Sequence, residues 1–109
     1  MASLTQTEAN NILNGALLTG TSFTPPTSPL KLALVTANGS ATSAGTESTG
    51  GSYARQTLAM AAASAGQSAN SSAINFTNMP ASTVVGAEIW DSAGSPIRKW
   101  WNALTASKT

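Results

Sequence analysis

Few side chains in this sequence can carry reaction chemistry. Its 109 residues include no His and no Cys, which excludes nucleophile–imidazole pairs, thiolate nucleophiles and thiolate metal sites. Four carboxylates remain: Glu8, Glu47, Glu88 and Asp91. Glu8 follows Thr5 at the T-x-x-E spacing of a helix capping box, and Asp91 opens the turn Asp91-Ser92-Ala93-Gly94-Ser95, where a carboxylate bonds its own backbone. Glu47 sits in a Gly-, Ser- and Thr-rich stretch that reads as a flexible loop. A two-carboxylate glycosidase would have to use Glu47 and Glu88, and nothing in their spacing supports that geometry. Gly50-Gly51 has no following Lys or helix, so it is no phosphate loop. The residues predict neither an enzyme nor a bound cofactor or metal.

The cations Lys31, Arg55, Arg98, Lys99 and Lys108 are scattered, and the net charge is +1. That pattern leaves no electrostatic footprint for nucleic acid. Charged residues make up 8% of the chain, against about 25% in ordinary soluble domains. The hydrophobic fraction of 41% is still enough to build a core. A low-charge, hydroxyl-rich surface suits a protein that works inside an assembly. No apolar run approaches the roughly 18 residues of a membrane span, and the N-terminus lacks the basic and apolar regions of a signal peptide. Asn38-Gly39-Ser40, Asn70-Ser71-Ser72 and Asn75-Phe76-Thr77 match the glycosylation triplet, as chance allows in so Ser- and Thr-rich a chain.

These side chains must be positioned by a small set of elements. The stretch 82–104 predicts a hairpin with Val85, Ala87 and Ile89 on one face and Val84, Gly86, Glu88 and Trp90 on the other. Its second strand alternates Ile97, Lys99, Trp101 and Ala103 against Arg98, Trp100, Asn102 and Leu104. All three Trp residues lie in this hairpin. Trp100 and Trp101 face opposite sides, so one fills the core. The other is covered by a second layer such as the N-terminal helix, by a neighbouring subunit, or by a stacked sugar.

Thr5 to Leu18 predicts a helix, with Ala9, Ile12, Leu13, Ala16 and Leu17 as one apolar stripe and Gly20 as its stop. Gly15 inside it costs about 1 kcal/mol relative to Ala, so the helix depends on docking, either to its own sheet or to a neighbour. Thr21 to Pro29 is an extended linker that Phe23 pins to the core. Leu30 to Val35 predicts a strand with Leu30, Leu32 and Leu34 on the core face and the Lys31 face partly wet. Thr36 to Ser52 reads as a long surface loop, with or without a weak edge strand. Strands are expected at Tyr53–Met60 and Ser71–Thr77, separated by a loop. The expected fold is mainly β: a small antiparallel β-sandwich or barrel with one N-terminal helix. Residues 1–29 form a helical and Pro-rich arm, and residues 30–109 form the β domain.

Particular strings carry a resemblance. Gly45-Thr46-Glu47 followed by Gly50-Gly51-Ser52-Tyr53-Ala54-Arg55, the strand end Ile89-Trp90-Asp91, and Trp101 before Ala103-Leu104-Thr105 resemble a family of small tailed-bacteriophage proteins. That family is usually labelled tail fibre or minor virion protein, and the similarity spans Leu30 to Thr109. The resemblance implies a structural role in a virion and brings no catalytic residues. Its members usually continue beyond the equivalent of Thr109, so the expectation is either a shorter variant or a sheet edge that a neighbour completes.

A chain of this length without heptads or β-helix repeats makes no long shaft alone. The leading expectation is therefore a capsid-decoration protein that braces the head shell in many copies. The runner-up is a tail-fibre or baseplate accessory that touches the host surface. The expected partners are the major capsid protein or other virion proteins, and further copies of the chain, a trimer being one arrangement; no nucleic-acid or membrane partner is expected. The residues expected at interfaces are Ile12, Leu13, Leu17, Tyr53, Arg55, Trp100 and Trp101.

Overall fold

The computed structural model describes residues 3–109. Along the chain run β1 (Ser3–Leu4), α1 (Gln6–Leu17), β2 (Leu30–Ala37), β3 (Thr46–Glu47), β4 (Gln56–Leu58), β5 (Val84–Trp90) and β6 (Arg98–Lys108). All pairings are antiparallel, in the order β1-β6-β5-β2-β3. β4 shares the outer edge of β2 with β3, pairing Leu30–Leu32 where β3 pairs Val35 and Ala37. The mainly β, antiparallel class with one N-terminal helix is as expected. The strands make one hydrogen-bonded sheet of six, with no second sheet among the described residues.

The Trp hairpin is the middle of this sheet. Ile89 pairs with Trp100 and Glu88 with Trp101, so the two adjacent Trp residues do face opposite sides. The register then skips Lys99, and Trp90 pairs with Arg98. This bulge turns Arg98 onto the face of Glu88 and Trp101, where strict alternation had placed it with Trp100.

The best-buried face of β2 is also the opposite of the expected one. Ala33 and Val35 are 0% and 1% exposed, whereas Leu30, Leu32 and Leu34 are half-buried. The loop between β2 and β3 explains the exchange. It lies over Val35, near enough that a Cβ on Gly45 would meet the Val35 side chain at 3.2 Å. Gly45 also donates its N–H to Glu88 Oε2 at 2.8 Å.

Thr5 caps α1, and its Oγ1 accepts from the Glu8 N–H at 3.2 Å. Only half of the expected capping box forms, because the Thr5 N–H donates to the Lys99 carbonyl at 3.0 Å in line with β1. Phe23, expected to pin the linker to the core, is 44% exposed. It packs on the helix at Gly15, where an added Cβ would lie 2.8 Å from Phe23 Cα and Cβ. Asn11 pairs with the Thr24 backbone in both directions, at 2.8 and 3.0 Å. The arm returns to the sheet at Thr27, whose N–H donates to Asp91 Oδ2 at 3.3 Å.

Two expected strands are shorter or missing. Only Gln56–Leu58 of the Tyr53–Met60 stretch is strand, and Ser71–Thr77 is irregular. Tyr53 is held otherwise: its hydroxyl accepts from the Leu34 N–H at 3.0 Å, in the gap of the β2 edge between β4 and β3. Its ring stacks on Phe76 with centroids 6.1 Å apart. Between these segments residues 59–73 form an exposed ribbon, closed by Ala61–Ala69, Ser64–Gln67 and Ser71–Ala59 backbone bonds.

Candidate functional site

The sheet face that carries Ala33 and Val35 collects nearly all the charge of the molecule. Glu88 on β5 and Arg98 on β6 meet at 2.9 Å, with 3% and 7% of their side chains exposed. Arg98 also donates to the Ser40 carbonyl of the covering loop. Beside them Arg55 forks onto Glu47 at 2.8, 3.0 and 3.2 Å. Its guanidinium lies 4.3 Å from the centre of the Trp90 ring, a cation–π contact. Tyr53 adds a hydroxyl bond to Glu47 at 2.6 Å. Glu47 lies not in a flexible loop but on the short edge strand that was the alternative reading of residues 36–52.

Glu8, expected to spend its carboxylate on the helix cap, faces Lys99 instead. Lys99 Nζ lies 2.9 Å from Glu8 Oε2, a charge contact that lacks hydrogen-bond alignment. Both residues are buried, so each is the neutralising partner the other needs. Asp91 behaves as expected of a turn residue, accepting from the Ala93 and Ile97 N–H groups on Oδ1 at 3.3 and 2.8 Å. Arg55, Arg98 and Lys99 are thus each paired by the fold, and each carboxylate has its partner.

Electrostatics follow from these contacts. Burial pushes the Glu47 carboxyl up, but the Arg55 and Tyr53 hydrogen bonds and the Arg55 charge hold it below its ordinary value. The bond to Glu47 raises Arg55 further, and burial together with its own hydroxyl bond to Glu47 pushes the Tyr53 phenol up. For Asp91, burial is outweighed by the backbone donors of Ile97, Ala93 and Thr27, so its carboxyl is also held low. A general acid needs a raised carboxyl with a free proton. These two groups are driven the other way.

A cleft of about 480 Å³ opens beside this network. Thr5, Gln6, Thr7, Thr42, Trp90 and Arg98 are among the residues that line it. Its guanidinium is occupied by Glu88 and the Ser40 carbonyl. Among the described residues no cluster of three or more Asp and Glu is arranged to hold a metal ion.

The residues singled out from sequence separate into three places. Tyr53 and Arg55 join the Glu47 network, half-buried. Trp100 and Trp101 lie on opposite faces of β6, both half-buried. Ile12, Leu13 and Leu17 are exposed at 37%, 53% and 77%, on a helix whose stripe does not cover its own sheet. Sequence reasoning missed Glu88 with Arg98 and Glu8 with Lys99. For Glu88 with Arg98, the opposite charges on either side of the hairpin turn were the available signal, and the bulge at Lys99 hid it.

Residues 3–109 match the family described as podophage GP4 fiber I protein gp80. The match spans nearly the whole chain, arm included, and the chain belongs to that family. Neither the curated proteins nor the solved structures yield a match.

Proposed function

We propose that this member of the fibre family is a non-catalytic structural module of a phage tail fibre. It is held in the virion by further copies of itself and by other virion proteins, and its outer surface meets the host cell. The observation that carries this reading is the family match over residues 3–109, which describes a fibre protein of a podophage. That description favours the tail-fibre alternative over the capsid-decoration role that was the leading expectation from sequence.

The side chains agree with a module that acts by contact. Its carboxylates are spent on Lys99, Arg55, Arg98 and backbone amides. They lock the covering loop and the arm to the sheet and leave no poised acid–base pair. For contact with the host, the cleft beside Trp90 offers the hydroxyl and amide groups of Thr7, Thr42 and Gln6 without an unpaired cation. Such a lining suits a neutral, hydroxyl-rich surface.

Gold-labelled antibody against the chain, applied to intact particles, tests the assignment. Label at the tail or its appendages is the expected result. Label distributed over the head would return the decoration role.

A further inference from the structure

Among the described residues, two uncharged apolar surfaces lack a partner within the chain. The first is the outer stripe of α1, where Leu13, Leu17 and the capping Leu18 are 53%, 77% and 56% exposed. The second is a groove of about 180 Å³ on the open face of the sheet, lined by Leu32, Ala87, Ile89, Trp100, Trp101 and Asn102. A helix layer on a sheet face is the ordinary way to bury both. Within one chain that closure is blocked. Thr5 and Glu8 fasten the start of the arm to Arg98 and Lys99, and Thr27 fastens its return to Asp91. Phe23 and Thr24 clamp the linker to the helix between these points.

Surface area and charge identify the occupant. The accessible surface of 6792 Å² exceeds by roughly 1,200 Å² that of a compact monomer of 10.9 kDa. The arm and the 59–73 ribbon project from the sheet, and the molecule measures 49 × 29 × 28 Å. Of the two projections, the ribbon presents small and polar residues apart from Met60, and the arm presents the large apolar ones. An excess of that size is enough to supply the about 800 Å² per partner that a stable interface buries. Residues 9–30 contain no charged residue, and neither does the groove lining. Copies of the chain therefore meet there without repulsion, and nothing at either surface steers in an oppositely charged stranger.

We infer that the α1 stripe of one copy docks in the sheet groove of the next. The contact joins unlike patches, so it closes reciprocally in a two-fold pair or runs head to tail into a ring or filament. It gives the self-association proposed above a specific interface, and it rests on that reading only for its use in the virion. The behaviour of the purified chain tests it separately from where the protein sits on the particle.

The chain has no cysteine, so disulfide trapping is clean. Leu17→Cys protein mixed with Ala87→Cys protein is oxidised at native concentration, and the wild-type chain is run in parallel by sedimentation. The expected results are a wild-type species above monomer mass and a dominant cross-link between the two variants. Leu13→Asp is expected to weaken association by about tenfold or more, with an unchanged circular dichroism spectrum because Leu13 is exposed. A monomer at every concentration would overturn the inference, as would cross-linking in Leu17→Cys protein alone without the mixed product. Assembly that survives Leu13→Asp would overturn it too.

Discussion

Glu88 and Arg98 show what individual charges do in this protein. Their contact is buried, and removing one partner strands the other in a region with little water. Glu88→Ala should therefore cost about 3–5 kcal/mol in urea unfolding. A Glu88→Met, Arg98→Met double variant should lose much less, since neither charge is left alone. The acid response has a definite sign as well. Glu47 and Asp91 are held below their ordinary values of 4.5 and 3.8, so the unfolded chain takes up protons first as pH falls. The stability they contribute is complete above those ordinary values and is lost as pH drops through the lowered ones. The urea midpoint should stay level from neutrality to about pH 5 and fall below about pH 4. Asp91→Asn should flatten that fall; an unchanged acid limb would contradict the role of Asp91. The sequence supplied the inventory of these residues but not the pairings. A contact between Glu8 and Lys99 depends on β1 joining β6, a tertiary fact that local spacing does not encode.

At the scale of elements, the arm is the informative case. The Thr5–Glu8 spacing and the Ile12, Leu13 and Leu17 stripe were sufficient to find α1, and alternation was sufficient to find the Trp hairpin. What the stripe covers was not legible, because a periodic pattern specifies a face without specifying its partner. The strand expected at 71–77 failed for a related reason: Phe76 is used to stack on Tyr53, outside any ladder. Gly15 makes the point testable. In an isolated helix Gly15→Ala would gain about 1 kcal/mol, but here the new methyl group meets the Phe23 backbone at 2.8 Å. The variant should therefore exchange amide hydrogens in α1 faster than wild type. Slower exchange would show that Phe23 yields and that the arm is not clamped there.

The whole molecule turns a low charge content inward. Of its charged residues only Lys108 is exposed, while Lys31, Glu47 and Arg55 are half-buried and the others are buried. Association among such surfaces has little electrostatic content. The self-association constant should thus change less than about threefold between low and physiological salt, because there are few exposed charges to screen. A steep salt dependence would place the contact elsewhere. Composition had pointed toward an assembly, and the family match over residues 3–109 names the kind of particle. Position within that particle follows from neither composition nor pattern, since head and tail proteins can share the same chemistry. The most direct measurement of the central claim is the number of copies per virion, by quantitative mass spectrometry against labelled peptides of this chain and of the major capsid protein. A tail-fibre module predicts a small multiple of the tail's symmetry. A ratio near one copy for each capsid subunit would contradict it.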